Sequence, residues 1–187
     1  MISAVVLAAG TSSRFGRTKQ LVEVGGKALA QHAVDTAVGA GLDEVVVVLG
    51  HDADAVRAAL ELPTNGRITL NPRYLEGQST SLTVGLEACD PSSEAAIVLL
   101  ADQPGITADH VRALIAAHGE TMAEILRIRF RDGPGPALLA RAVWPEVVAT
   151  TGDTGARALF EAHPERVRWV EIDEEVPPDI DTPDDLP

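Results

Sequence analysis

The chain has 187 residues, of which 15 are Lys or Arg and 28 are Asp or Glu, so its formal net charge is −13. Such acidity argues against nucleic-acid binding, because phosphate backbones attract Lys and Arg. A hydrophobic fraction of 45% excludes a disordered chain. No apolar run approaches the ~20 residues of a membrane span, and no basic residue precedes the apolar start as in a signal peptide. The single cysteine, Cys89, cannot form an internal disulfide, and we expect a soluble cytoplasmic protein. The length predicts one domain over residues 1–187.

Apolar runs and helical spacing divide the chain into alternating strands and helices. Strands are predicted at residues 2–7, 44–49, 67–70, 95–100, 124–130 and 167–172. Helices are predicted at residues 28–40, 54–60, 79–88, 108–118 and 153–161, with Asp52 and Thr107 as N-caps of the second and fourth. The Gly/Pro cluster at residues 133–136 is expected to break the strand before it.

Strands this continuously apolar indicate a mostly parallel sheet that is covered on both faces, because each strand is buried on both sides. The prediction is an α/β fold, a Rossmann-like three-layer α/β/α domain. In such folds ligands bind beyond the carboxyl ends of the strands. The chemistry is therefore expected in the loops that follow Leu7, Leu49, Leu70 and Leu100.

The first of these loops is basic in an otherwise acidic protein. Residues 1–27 hold both lysines of the chain, Lys19 and Lys27, together with Arg14 and Arg17. A positive loop in a negative protein points to an anionic ligand, and small residues there let the backbone approach it closely. The loop offers successive backbone amides, the forked guanidinium of Arg14 and the mobile ammonium of Lys19. Together these groups predict a binding site for a triphosphate, a triphosphate cradle. The alternative is a Gly/Ser-rich connector whose charges are incidental. Neither the P-loop pattern nor the G-x-G-x-x-G fingerprint occurs.

The segment from Leu7 to Lys19 has the pattern L-A-A-G-x-S-x-R-x-G-x-x-K, which resembles the MobA-like nucleotidyltransferases, closest to the molybdenum cofactor cytidylyltransferase branch. Further motifs of that family have counterparts at Asn71-Pro72 with residues 76–82, at Ala101–Pro104, at residues 152–157 and at Asp179–Asp184. The resemblance implies the nucleotide-diphospho-sugar transferase type of fold. It also implies Mg²⁺-dependent transfer of CMP from CTP to the phosphate of molybdopterin, with release of pyrophosphate. Guanylyltransferases of the family typically carry two glycines at Ala9-Gly10, so Ala9 favours CTP.

The same resemblance assigns roles residue by residue. Arg14, Lys19, Asp102 and Asp181 would be catalytic, and Asp102 and Asp181 would bind Mg²⁺. Nucleotide-binding residues would be Leu7, Ala8, Ala9, Gly10, Ser12, Arg14, Lys19, Asn71, Gly77, Gln78, Ser79 and Asp102. Ser79 has an ordinary alternative as a helix N-cap. The segment 152–157 would belong to the acceptor site, unless Arg157 makes a structural ion pair.

Two departures from the family pattern leave the acceptor open. Relatives usually have a Gly-His-Pro-like turn where this chain has Asp132-Gly133-Pro134-Gly135-Pro136, without a histidine, and residues 119–130 match least well.

The alternatives are a nucleotidyltransferase for a sugar-phosphate or alcohol-phosphate acceptor, a non-catalytic cofactor carrier for a molybdoenzyme, and a Rossmann oxidoreductase that binds a nicotinamide cofactor. Expected partners are an NTP and a phosphorylated small-molecule acceptor, with a molybdoenzyme as a candidate recipient of the product; neither nucleic acid nor a membrane is expected.

Overall fold

The computed structural model describes residues 1–150, 152 and 154–186. Nine strands are found in this part of the chain, seven of them in one sheet. Their bounds are β1 Ile2–Ala8, β2 Glu23–Val24, β3 Lys27–Ala28, β4 Glu44–Leu49, β5 Gly66–Leu70, β6 Ala95–Leu100, β7 Ile125–Arg129, β8 Pro134–Ala140 and β9 Val167–Glu171. The large sheet has the order β5-β4-β1-β6-β8-β7-β9, and β2 and β3 form a separate hairpin.

The sheet is mostly parallel, which confirms the predicted α/β fold. β1 pairs in parallel with β4 and β6, β4 with β5, and β7 with β9. Only β8 runs antiparallel to its two neighbours, β6 and β7. All residues of β4 and nearly all of β1 are buried, as expected for strands covered on both faces.

Strand β8 was not predicted, because the Gly/Pro cluster at its start was interpreted as a break. The chain turns at residues 131–133, and Pro134 opens the new strand. Pairing with β6 begins only at Ala137, so neither Pro134 nor Pro136 has to donate an amide hydrogen bond to that neighbour. Proline is tolerated at the first residue of a strand or where one side is unpaired.

Six α-helices are found among residues 1–150, 152 and 154–186, and they cover the two faces of the sheet. They are α1 Leu29–Gly39, α2 Ala53–Ala59, α3 Gln78–Ala88, α4 Ala108–Thr121, α5 Trp144–Val148 and α6 Arg157–Ala162. One apolar cluster includes residues of α1 and α4, such as Val34 and Leu114, and the cluster on the opposite face includes residues of α3, α5 and α6, such as Leu86, Trp144 and Phe160. No helix among the described residues has both the length and the apolarity to cross a membrane.

Two helix starts differ from their predictions. Thr107 caps α4 as predicted, since its side chain accepts from the amide of His110. Asp52 precedes α2 but does not cap it; it has a left-handed backbone (φ 48°), and its carboxylate accepts a hydrogen bond from Thr18 instead. The last predicted helix begins at Arg157 rather than at residue 153, and Asp153 itself lies outside the described residues. The short helix α5 was not predicted.

After β9 the chain returns across the carboxyl edge of the sheet as a C-terminal strap, residues 172–186. The amide of Arg131 donates to Glu174 O (2.9 Å), and the amide of Ile180 donates to Asp102 O (2.9 Å). The side chain of Ile180 is 3% exposed and packs in a cluster with Phe15, Val22 and Leu29. The strap therefore joins the end of β6 to the loop that follows β1.

Candidate functional site

A cleft of about 490 Å³ lies beyond the carboxyl ends of β1 and β6, where the parallel topology predicts a ligand site. The loop after β1 supplies most of its wall. Its lining residues are Leu7, Ala9, Gly10, Thr11, Ser12, Ser13, Arg14, Lys19, Gln20, Tyr74, Leu75, Gly77, Gln78, Ser81, Leu100, Ala101, Asp102 and Asp181.

Gln20 holds the loop after β1 in a closed shape. Its buried side chain donates to the carbonyl of Gly10 (2.9 Å) and accepts from Ser12 Oγ (3.0 Å). Ser12 Oγ in turn accepts from the amide of Lys19 (3.0 Å), and Ser12 has a left-handed φ of 55°. Gln20 is not among the predicted site residues, although a glutamine among the basic residues of a phosphate-type loop is a usable signal.

Four charged side chains from three parts of the chain meet at one end of the cleft. Lys19 Nζ lies 2.8 Å from Asp102 Oδ2 and 2.8 Å from Asp181 Oδ1. Arg14 Nη2 lies 2.9 Å from the other oxygen of Asp181. Burial disfavours the charge of Lys19, but the two carboxylates outweigh it and hold the pKa of Lys19 above its ordinary value. The hydrogen bond from Lys19 lowers the pKa of Asp181, with Arg14 adding to the effect.

The two carboxylates fit a divalent cation that is bound together with phosphate. Asp102 Oδ1 is buried and has no hydrogen-bond partner among the described residues, although a buried carboxylate oxygen normally has one. Mg²⁺ is usually held by one or two carboxylates plus substrate phosphates and water. The described residues contain no group of three or more His, Cys, Asp or Glu that could hold a metal without such help.

Asp179 adds a third acidic group at this edge of the sheet. In the sequence it stands only as the first residue of the motif Asp179–Asp184. Its Oδ1 accepts from Gln103 Nε2 (2.7 Å). Partial burial raises the pKa of Asp179, and the negative charges of Asp102 and Asp181 raise it further. The negative potential here would be relieved by a cation.

Not every predicted nucleotide-binding residue reaches the cleft. Asn71 is 1% exposed, and its Nδ2 donates to Thr80 Oγ1 (2.8 Å) and Ser81 Oγ (2.9 Å), so it shapes the second loop from beneath. Ala8 and Ser79 are also buried and are absent from the wall. These three side chains are enclosed by protein and do not face the cleft, so they are not positioned to contact a nucleotide bound there.

The helix-cap alternative for Ser79 is wrong. Gly77, with φ 115°, is the N-cap residue of α3, and Ser79 lies one residue inside that helix. Ser79 Oγ is buried without a hydrogen-bond partner in the described part of the chain, and its amide donates to Gly152 O (3.1 Å). Gly77 and Gln78 line the cleft, and their contact with a nucleotide stays a prediction.

A second cavity of about 270 Å³ adjoins the cleft and shares Leu7, Gln78 and Leu100 with it. Arg157 lines this cavity, but its Nε also lies 2.6 Å from Glu161 Oε1, one turn along α6. The ion-pair alternative for Arg157 is thus realised in the structure. Arg127 lines the same cavity and was not among the predicted site residues; its only signal was an arginine pair, Arg127 and Arg129, within an otherwise apolar strand.

A family model for the MobA-like NTP transferase domain matches residues 4–167. The chain belongs to this family. The match confirms the resemblance seen in the loop after β1 and in the later motifs. The chain is therefore a member of a nucleotidyltransferase family, and the loop, cleft and paired carboxylates are located in the matched domain and the strap behind it.

Three relatives of this MobA-like chain cover nearly its whole length. The nicotine blue oxidoreductase of Paenarthrobacter nicotinovorans is 32% identical over 97% of this chain and 92% of its own. A crystal structure of the Rv0371c homologue from Mycobacterium sp. strain JC1 is 36% identical, covers 98% and 92% of the two chains and has a TM-score of 0.89. Mycobacterium tuberculosis Rv0371c in complex with manganese is 34% identical, with coverage of 98% and 94% and a TM-score of 0.82.

Proposed function

We propose that the chain is an Mg²⁺-dependent nucleotidyltransferase that transfers CMP from CTP to the phosphate of molybdopterin. One observation carries the transferase part of this proposal: Lys19 and Arg14, on a phosphate-type loop, converge with Asp102 and Asp181 in one cleft. Cations for a polyphosphate and carboxylates for a metal are what phosphoryl-group chemistry needs side by side.

In this mechanism the acceptor phosphate oxygen attacks the α-phosphorus of CTP. A new P–O bond forms to the acceptor, the bond between the α-phosphorus and the bridging oxygen breaks, and pyrophosphate leaves. The acceptor phosphate is already ionised, so no general base is needed. Catalysis then rests on positioning the two phosphates and stabilising charge.

The chain's own residues divide this work. Lys19, Arg14 and the amides of the loop after β1 bind the β- and γ-phosphates and the charge of the departing pyrophosphate. Asp102 and Asp181 would hold Mg²⁺, which when bound neutralises the reacting α-phosphate. Ala9 lines the cleft, and its carbonyl is fixed by the amide of His51 (3.3 Å), so its methyl group has a defined place in the wall. The choice of CTP rests on the family resemblance, because the related guanylyltransferases typically carry glycine at the position of Ala9.

Several finer points stay predictions. The molybdopterin acceptor and a molybdoenzyme as recipient rest on the family resemblance, and a sugar-phosphate or alcohol-phosphate acceptor would use the same residues. A non-catalytic carrier would keep the cradle without turnover. A cytoplasmic location also stays a prediction.

A second candidate function is a redox reaction with a nicotinamide cofactor. The observation in its favour is that a relative 32% identical over nearly the whole chain is named an oxidoreductase. Against it stands the lack of a G-x-G-x-x-G turn after β1. The same cleft would have to bind the diphosphate of the cofactor, so one binding experiment separates the two functions.

That experiment measures thermal stabilisation with Mg²⁺ and CTP, GTP, ATP, UTP or NADPH in parallel. A ligand at 100 times its dissociation constant adds about 2.7 kcal/mol, roughly 5–10 °C for a chain of this size. We expect the largest shift with CTP, dependence on Mg²⁺, and loss of the shift in Lys19→Ala. Each variant is compared with its own unliganded form, because Lys19→Ala also removes two ion pairs.

Arg17→Ala is the matched control, since Arg17 lies in the same loop but is not part of the cleft wall. It should keep the shift. A larger shift with GTP would overturn the choice of CTP, and a shift with NADPH alone would favour the redox function. No shift with any triphosphate at concentrations well above millimolar would overturn the transferase proposal.

A further inference from the structure

The second cavity combines an apolar wall with two arginines, of which Arg157 is paired with Glu161. Leu82, Val98, Ala137 and Phe160 supply apolar surface, while Arg127 and Arg157 are its charged members. None of its described lining residues is an Asp or Glu, although the chain has 28 of them. A cation-bearing, acid-free cavity in so acidic a protein favours an anionic ligand.

Arg127 is the arginine of this pair whose charge the described part of the chain leaves unmatched. It lies in the middle of β7, is half-buried, and has no carboxylate of the described residues within salt-bridge distance. Its Nε donates to Gly135 O (3.4 Å), which leaves the two terminal nitrogens of the fork free of hydrogen bonds to described residues. Burial lowers the pKa of Arg127, the nearby charge of Arg157 lowers it further, and the negative charge of Glu161 offsets part of this effect.

The guanidinium also lies against two aromatic rings. Its central carbon lies 5.1 Å from the ring centre of Phe160 and 5.8 Å from that of Trp169. Two aromatic faces and the hydrogen bond to Gly135 fix the plane of the fork. A planar, pre-oriented fork is suited to bidentate recognition of a carboxylate or phosphate.

Arg129, two residues further along the same strand, shows what an arginine with a purely structural role looks like here. It stacks on Trp169 at 4.2 Å, and its Nη1 lies 3.2 Å from Glu171 Oε1. Its charge is matched and it does not line the cavity. Stacking on Trp169 is therefore common to both residues, whereas the unmatched charge facing a cavity belongs to Arg127.

We propose that Arg127 binds an oxyanion of the acceptor, and that the acceptor is an anionic molecule whose apolar or planar body packs on the wall formed by Leu82, Ala137 and Phe160. This inference rests on the proposed function, because it takes the second cavity as the acceptor side of the cleft. The strand β7 and the start of β8 supply Arg127 and the Pro134–Pro136 wall. The acceptor specificity of this chain is accordingly set by these residues.

The test uses three small probes that share a phenyl ring: phenyl phosphate, benzoate and the neutral benzyl alcohol. Their binding to the full chain is followed by amide and arginine Nε NMR signals. We expect both anions to bind with shifts at Arg127 Nε and at the amides of Gly135 and Ala137, and benzyl alcohol to bind far more weakly. The two anions distinguish a phosphate from a carboxylate as the preferred oxyanion.

Arg127→Met keeps an unbranched apolar stem and removes the charge, and Arg129→Met is the matched control on the same strand. We expect Arg127→Met to weaken anion binding about tenfold or more, since hydrogen bonds to charged groups are the strong ones. Arg129→Met should bind like the wild type, and Arg127→Lys should recover only part of the affinity. If Arg127→Met does not fold, the position of the wild-type shifts decides.

The Mg²⁺–CTP thermal shift is measured on the same samples, so that the two proposals can fail separately. A normal CTP shift with equal anion binding by Arg127→Met and wild type would overturn the role of Arg127 alone. That role is also overturned if benzyl alcohol binds as well as the anions, or if the NMR shifts fall only on Ser12 and Gly10 in the first cleft. If anion binding depends on Arg127 but no triphosphate produces a thermal shift, the Arg127 site is supported and the transferase proposal is overturned.

Discussion

At the scale of single residues, Gly85 decides how closely α3 approaches the sheet. A Cβ atom at this position would lie 2.3 Å from Val5 Cγ1 and 3.0 Å from Val48 Cγ2. Only glycine permits this distance, and the close approach brings the start of α3, with Gly77 and Gln78, to the edge of the cleft. We predict that Gly85→Ala lowers the free energy of unfolding by about 1–3 kcal/mol through overpacking, measured by urea denaturation.

Gly119 is the matched control for this substitution. It also lies in a helix, α4, but it is exposed and a Cβ there would meet nothing within 4 Å. Gly119→Ala should therefore stabilise the protein by about 0.5–1 kcal/mol, the usual helix preference for alanine over glycine. Equal effects of the two substitutions would contradict the close packing at Gly85.

At the scale of elements, the C-terminal strap and the loop after β1 act as one unit. Ile180 of the strap packs with Phe15 of that loop, and its backbone amide is bonded to the carbonyl of Asp102. Asp181 follows directly, so its place beside Lys19 depends on the apolar anchor next to it in the chain. The charged site is thus positioned by a small apolar cluster as much as by its own ion pairs.

We predict that Ile180→Ala weakens the binding of Mn²⁺ in the presence of CTP, although it removes no polar group. Loss of a buried isoleucine side chain costs about 2–5 kcal/mol locally, which loosens the strap and with it Asp181. Mn²⁺ binding followed by electron paramagnetic resonance measures the effect. Ile180→Val, which removes one methyl group at a cost of about 0.5–1.5 kcal/mol, should bind nearly as the wild type does. Unchanged Mn²⁺ binding in a folded Ile180→Ala variant would show that the anchor is dispensable.

At the scale of the whole molecule, the acidic charge makes stability depend on pH. Hydrogen bonds or ion pairs lower the pKa values of five carboxyl groups, Asp35, Asp90, Glu146, Asp181 and Asp185. A carboxyl group with a lowered pKa in the folded state stabilises it above the unfolded-state pKa, and this contribution is lost as pH falls through the folded pKa. Asp179, with its raised pKa, acts in the opposite direction.

We predict that the free energy of unfolding decreases as pH falls from about 5 to 3, because the lowered pKa values outnumber the raised one. Urea denaturation at a series of pH values measures it. Asp35→Asn, which removes the partner of Lys27, should flatten part of the decrease. Most of these groups are exposed, so added salt should reduce the effect. A rise in stability over the same interval would mean that relief of the overall negative charge dominates.

How far the sequence could be interpreted differs from element to element. The strands at 44–49 and 95–100 were predicted to the residue, because a continuous apolar run between turns is a local pattern. Strand β8 was missed because its start is rich in proline, and only its one-sided pairing made that composition acceptable. Asp52 looked like a cap, but its carboxylate bonds to Thr18, which lies 34 residues away in the chain.

The amino-acid sequence by itself determined the α/β architecture, the family and the basic loop after β1, since each is written in contiguous residues whose propensities and spacing act locally. Tertiary structure decided which side chains meet. Lys19 reaches Asp102 and Asp181 across sequence separations of 83 and 162 residues, and the fold enclosed Asn71 and Ser79 while opening Arg127 to a cavity. Contacts between distant segments depend on how whole elements pack to bury their apolar faces, and no local pattern contains that information.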